Sequence, residues 1–253
     1  MDLSSKSIHI FNEKYGIKNE NGLKLDFKRH SFLWDIYSDF TPKQVCLKAA
    51  QIGFSTLAII KTLYVSNYRN FDIIYTLPTA GDVYDFVTSK VNRIIQQNPI
   101  LQEWVKDRDT IEQKKVNKNV IYYRGTFVER AALMVSSDLN VHDEIDRSDQ
   151  SVVGQYASRL QHSPNKWEWK FSNPSVKGNG VDRDWTISDQ KHWFIRCSHC
   201  SKEQYINWPD NIDLERKIFI CKHCKKELSS EDRRVGRWVP KYRNREVSGY
   251  WIS

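Results

Sequence analysis

Hydrophobic positions in the first hundred residues switch between two spacings, and each spacing predicts a kind of element. Phe32, Leu33, Ile36, Tyr37 and Phe40 recur at helical intervals and predict one buried helix face. Val45, Cys46 and Leu47 form a short unbroken apolar run, as in a buried strand. Residues 57–65 are apolar on nearly all sides, which suits a helix covered by a sheet and by other helices. A second strand is expected over 71–77, where Pro78 stops it. Thr79 and Asp82 then form a capping pair for a helix carrying Val83, Phe86, Val87, Val91, Ile94 and Ile95. The order strand, loop, helix, strand, helix builds a parallel sheet with crossover helices, so the expected class is α/β.

Later segments are shorter. Charges crowd between 106 and 118 and mark surface. Brief strands are expected at 120–123 and 133–135, and an aromatic one at 167–171. Residues 1–30 are polar and lysine-rich and read as a loosely held arm. The expected division is therefore an arm over 1–30, a core over 31–190, a cysteine-bearing unit over 191–240, and over 241–253 an apolar run that opens further structure.

Composition narrows the partners. The chain has 253 residues, 13% of them aromatic, and a formal net charge of +8. That length supports one α/β domain with a full core and a small appendage, and the positive excess favours a polyanionic partner such as nucleic acid. No apolar run approaches the roughly 18 residues needed to cross a bilayer, and residues 1–10 lack the apolar core of a signal peptide. The reading is a cytosolic protein without a membrane partner, in which cysteines serve as metal ligands or buried thiols.

Chemistry enters at 45–56. On the phosphate-loop spacing G-x-x-x-x-G-K-[ST], Gly53 and Ser55 occupy the second glycine and the hydroxyl, while Phe54 stands in the lysine slot and Lys48 at the first glycine. Lys48, delivered by the strand, could reach the β- and γ-phosphates across the loop. The backbone of Gln51, Ile52, Gly53, Phe54 and Ser55, with Thr56 following, would cradle the same phosphates at the start of the helix. Trp34 and Tyr37, just upstream, are candidate adenine contacts as well as candidate core residues.

A phosphate loop needs acidic partners. In the pair Asp143-Glu144, one carboxylate would hold magnesium and the next would orient and deprotonate water. The strand leading to them is interrupted by Asn140 and His142, so Asp138 is a rival for the metal position. Ser172 and Asn173, at the tip of the aromatic strand, can sense the γ-phosphate or simply form a Ser-Asn-Pro turn.

Two Cys-X-X-Cys knuckles, Cys197 with Cys200 and Cys221 with Cys224, have the spacing of a four-cysteine zinc ribbon. Four thiolates would leave no open position, so the metal would be structural, with His199 and His223 surplus; a disulfide pair is the competing reading. Lys202, Arg216, Lys217, Lys222, Lys225 and Lys226 surround the knuckles and could meet phosphates. Cys46 reads as a small buried hydrophobe.

In this order, Lys48-Ala-Ala-Gln-Ile-Gly-Phe-Ser55, Thr76-Leu-Pro-Thr79, Asp143-Glu-Ile-Asp146, the run from Phe171 to Gly178 and the run from Ser188 to Cys200 resemble the ATPase part of the large terminase subunit of tailed bacteriophages, lambda-like branch. A displaced loop lysine is a trait of that family. The resemblance implies a P-loop NTPase fold of the ASCE type, a mostly parallel sheet flanked by helices, with an appended zinc ribbon. It implies a motor that uses ATP and Mg2+ to drive double-stranded DNA into a preformed capsid in the host cytoplasm. Lys48 would bind phosphate, Ser55 and Asp143 magnesium, Glu144 the attacking water, and Ser172 with Asn173 would couple hydrolysis to movement. Implied partners are a small terminase subunit, the procapsid portal and neighbours in a homo-oligomeric ring, where Arg159 or Arg183 could face the γ-phosphate of an adjacent copy. The family's nuclease domain is expected to be absent from this chain. The alternatives are a helicase-like ATPase and a zinc-ribbon DNA-binding or assembly protein with a vestigial nucleotide site.

Overall fold

The structure is a computed structural model describing residues 5–127 and 135–252. The strands are β1 (Lys43–Leu47), β2 (Ile73–Leu77), β3 (Gln113–Val116), β4 (Asn119–Gly125), β5 (Leu139–Asp143) and β6 (Trp167–Ser172), then β7 (Lys191–Arg196), β8 (Glu203–Tyr205), β9 (Ile212–Asp213), β10 (Ile218–Phe219), β11 (Gly236–Pro240) and β12 (Ser248–Trp251). Among the described residues, ten of them form one sheet in the order β11-β7-β12-β1-β6-β5-β2-β4-β3, with β8 on β7. The strands from β7 through β4 pair in parallel, and β3, β8 and β11 join antiparallel at the margins. This is the α/β class expected from the alternating apolar patterns.

Helix α3 (Phe54–Arg69) follows β1 and is buried along most of its length, which explains its apolar residues on every side. Helix α4 (Ala80–Phe86) begins at the expected capping box, in which Thr79 accepts from the Asp82 N–H and the Asp82 carboxylate accepts from the Thr79 N–H. The single helix expected beyond it is broken by a π turn at Val87–Val91 before α5 (Asn92–Gln97). Apolar spacing does not reveal that break, because Val87 and Val91 stay buried through it.

Three expected boundaries need correction. The arm is not loose: α1 (Ile8–Tyr15) is capped by Ser7 and buries Ile8 and Phe11, with Ile17 beyond it, in the main core. Phe11 stacks on Trp104 at 5.2 Å between ring centroids. An eight-residue helix covers little more than two turns, too short for its period to stand out in a polar, lysine-bearing segment. Secondly, the four-cysteine unit is not separate, since β7 and β11, which flank it, belong to the main sheet. Thirdly, the run after 240 supplies β12, inserted between β1 and β7. Of the short strand expected at 133–135, Leu133 and Met134 lie outside the described residues, as do residues 1–4 and 253.

The order β1-β6-β5 positions the site. Leu47 is in register with Ser172, and Phe171 with Asp143, so the carboxyl ends of these three strands form one row. Lys48 arrives at the same level as Asp143 and Ser172, although both lie more than 90 positions further along the chain.

Candidate functional site

Lys48 leaves β1 with its N–H donated to the Ser172 carbonyl at 2.9 Å. Its side chain is buried, and Nζ stands 2.8 Å from Asp143 Oδ1 and 2.8 Å from Glu144 Oε1. Burial works against this ammonium, but the two carboxylates outweigh it and raise its pKa above the ordinary lysine value. Asp143 is buried and fully engaged. Besides Lys48, it accepts from Tyr75 OH at 2.8 Å, from Ser55 Oγ at 3.4 Å and from the Glu144 N–H at 3.0 Å.

The chain between β1 and α3 turns through positive φ at Gln51 (59°) and Gly53 (79°), and Gly53 is the N-cap of α3. A Cβ at Gly53 would meet nothing within 4 Å, so glycine is favoured there by backbone conformation and not by crowding. Glu144 also has positive φ (55°), which is uncommon for a non-glycine residue and is held by the short turn Ile145–Arg147 that follows it.

A cavity of about 330 Å³ is lined by Lys48, Gln51, Ile52, Gly53, Phe54, Ser55, Glu144 and Asn173, with Lys90 and Arg147. Next to it lies a second, of about 440 Å³, which shares Ser55, Lys90, Glu144 and Arg147 and is also lined by Asp143. Two expected site residues do not reach these walls. Thr56 is buried and donates to Glu20 at 2.9 Å. Ser172 is wholly buried, its Oγ donating to the Asn173 carbonyl and accepting from the Asp146 N–H at 3.3 Å. It therefore ties the end of β6 to the turn after Glu144 and lines neither cavity.

Strand direction separates the two acids. Asp138 precedes β5 and Asp143 ends it, roughly 16 Å away at 3.3 Å per residue. Asp138 accepts from the Asp72 N–H, Ser163 and Asn165 at the far end of the sheet, away from the loop. The polar residues that disturbed the strand pattern are buried but paired: Asn140 donates to the Tyr156 carbonyl at 2.7 Å, and His142 Nδ1 lies 2.7 Å from Thr76 Oγ1. Neither candidate adenine contact lines either loop cavity. Tyr37 is buried in the core and Trp34 stacks on His9 at 3.6 Å. Arg159 donates to Ser158, and Arg183 pairs with Asp184; neither lines the loop cavities of this chain.

Three residues were missed by sequence reasoning. Lys90 is presented by the π turn, and Arg147 lies three positions after Glu144; neither forms an ion pair among the described residues. Asp146, visible only as part of a motif string, accepts from Ser175 N–H and Oγ and from Val181 N–H, and so fastens the segment after β6 to the turn carrying Glu144. Only the regular DEID string hinted at that role.

Beyond the carboxyl end of β7, Cys197, Cys200, Cys221 and Cys224 place their Sγ atoms within 4.8 Å of one another. Cys197 and Cys224 are 3.8 Å apart and Cys200 and Cys221 are 3.7 Å apart. A tetrahedron with metal–sulfur bonds of about 2.3 Å has edges of about 3.8 Å, so the cluster fits a thiolate-bound metal. No disulfide joins any of the five cysteines. Burial disfavours the Cys221 thiolate, but N–H donors from Cys224, His223 and the Gln204 amide outweigh it and hold the thiol down at about 6. Burial instead pushes the Cys46 thiol well up, in keeping with an inert core residue.

Solved structures share this fold. The large terminase of bacteriophage HK97 matches 72% of this chain and 40% of its own with a TM-score of 0.57 at 15% identity. The large terminase ATPase domain of Thermus phage P74-26 matches 92% of this chain and 82% of its own with a TM-score of 0.55 at 11% identity. The fold is thus a mostly parallel α/β sheet of the kind seen in large terminase ATPase domains. The large terminase subunit of Escherichia phage lambda is 24% identical over 213 residues, covering 74% of this chain and 33% of that protein. A family model described as "Phage terminase large subunit gpA, ATPase domain" matches residues 34–238, and the chain belongs to that family. It spans about a third of the length of its lambda relative.

Proposed function

We propose that this chain hydrolyses ATP as the motor part of a large terminase subunit and drives double-stranded DNA into a procapsid in the host cytoplasm. The observation that carries the reading is Lys48, held 2.8 Å from both Asp143 and Glu144 at the carboxyl ends of β1 and β5. A cation and two acids at the ends of parallel strands, beside a loop that opens a helix, suit a P-loop site of the ASCE type, with β6 between the loop strand and the acidic strand.

In this reading the N–H groups of residues 51–55 receive the β- and γ-phosphates, and Lys48 exchanges its carboxylate partners for phosphate oxygens. Ser55 and Asp143 would hold Mg2+, whose charge would neutralise that of the phosphates. Glu144 then loses its ammonium partner and is free to orient water and take its proton. Lys90 and Arg147 add positive charge on the same wall. Asn173 faces the cavity while Ser172 and Asp146 fix the turn behind it, so the coupling role expected of Ser172 is one of positioning.

The four-cysteine cluster supports a structural zinc, and the exposed lysines around it support contact with DNA phosphates. A small terminase subunit, the portal and ring neighbours are the partners this reading requires. DNA-stimulated ATP turnover, measured in the terminase containing this chain, tests it. Glu144→Gln should lower turnover by roughly 10² to 10⁴ while nucleotide still binds. Equal rates in the two proteins would falsify the motor reading.

A further inference from the structure

A third cavity, of about 430 Å³, shares no lining residue with the loop site. It opens where the segment before α2 (Leu33–Ser38), the outer strands β7 and β11 and the cysteine-bearing extension meet. Its volume lies in the range of small-ligand sites, and its lining contains aromatic and cationic side chains but no carboxylate.

The aromatic part is organised. His192 stacks on Tyr205 with centroids 4.3 Å apart and planes 24° apart, and Trp251, 37% exposed, leaves ring surface open beside them. The cationic part is underused. Lys28 and Arg29 are exposed and form no ion pair among the described residues. The Arg233 guanidinium lies 4.4 Å over Phe219, and its Nε is buried without a hydrogen-bond partner among the described residues. A buried donor left unmatched is costly and is normally satisfied by something.

Flat aromatic faces suit a planar ring, and unpaired cations beside them suit an anion attached to that ring. A nucleotide joins the two in one unit, as in single-strand recognition by stacking and basic side chains. An acidic peptide would use the cations but leave the stacked faces without a planar partner. We propose that this cavity binds one nucleotide, its base against Tyr205 and Trp251 and its phosphate at Lys28, Arg29 and Arg233. The nucleotide is either free or an unpaired residue of a DNA strand.

The proposal is tested on the full chain, with metal content and circular dichroism checked for each variant, by fluorescence anisotropy of a labelled 15-residue oligothymidylate. Tyr205→Leu should weaken binding at least about fivefold through lost stacking. The double variant Lys28→Ala/Arg29→Ala, on exposed side chains that folding does not need, should weaken it and flatten its salt dependence. Lys118→Ala, at the opposite edge of the sheet, should change it by less than about twofold. Displacement by thymidine monophosphate identifies the ligand as a free nucleotide; displacement by unlabelled oligothymidylate alone identifies an unpaired strand residue. Absence of binding overturns the proposal. So does equal binding by the cavity variants, a loss on Lys118→Ala, or competition by a 15-base-pair duplex as strong as that by the single strand. Because none of these variants touches the loop site, failure here leaves the ATPase reading standing, and the reverse also holds.

Discussion

The loop site and the four-cysteine cluster both gather charge from distant parts of the chain, but they do so in opposite ways. At the loop, one ammonium serves two carboxylates, backbone strain is held at Gln51 and Glu144, and the wall opens onto cavities. At the cluster, four sulfurs close on one point at tetrahedral spacing, leaving no position for a substrate. A group that must change partners during a reaction is held by contacts that can be exchanged, whereas a group that only fastens the fold is saturated.

Removing the metal should produce the largest effect. Structural zinc sites contribute on the order of 10 kcal/mol of apparent binding free energy, so chelation should unfold residues 197–235, β8 included, while the rest of the sheet persists. Limited proteolysis with and without chelator reads this as new cleavage confined to that segment; cleavage spread through β1 to β6 would erase the contrast between the two regions. The loop site should respond next. Lys48→Met leaves the buried Asp143 carboxylate without its cation and should cost about 3–5 kcal/mol in denaturant unfolding. A stability equal to wild type would mean that the ammonium is no structural partner of Asp143.

Beneath the site, Glu168 lies 3.0 Å from Lys170, which lies 3.0 Å from Asp184. Burial disfavours the Glu168 carboxylate, but the His142 ring 3.7 Å away and the charge of Lys170 hold it down at about 2. A depressed carboxyl stabilises the fold above its unfolded value and loses that contribution as pH falls through the folded value. Glu168→Gln should therefore be less stable by about 2–3 kcal/mol at neutral pH, and the gap should close between about pH 5 and pH 2. A pH-independent gap in urea unfolding would assign the loss to packing instead. The smallest effect is expected at Tyr75→Phe, which removes one donor from Asp143 and should cost about 1.5–3 kcal/mol. Because Lys48, Ser55 and the Glu144 N–H remain, it should fall at the lower end, and a cost equal to that of Lys48→Met would reverse the ranking of Asp143's partners.

Much of the core was legible because its segments carry strong local signals. The apolar run of β1, the uniformly apolar α3 and the Thr79–Asp82 cap all stand where their patterns point. Helix α1 is too short for its period to stand out, and β7, β11 and β12 were assigned to other units, because joining a sheet depends on partners far along the chain. In the site, Lys48, Asp143 and Glu144 were recognisable from spacing, while Lys90 and Arg147 had none to offer. Thr56 and Ser172 looked like site residues because their neighbours are; a single residue's rotation turned each away from the cavity.

The amino-acid sequence by itself determined the alternation of strands and helices, the cysteine spacing and the presence of a loop lysine upstream of an acidic pair, since each is written in local pattern and residue chemistry. Only the tertiary structure decided that Asp143 and not Asp138 meets Lys48, that β6 lies between them, and that residues 28–29 share a cavity with Arg233. Those outcomes depend on strand order and direction, which are set by the packing of the whole sheet and not by any segment alone.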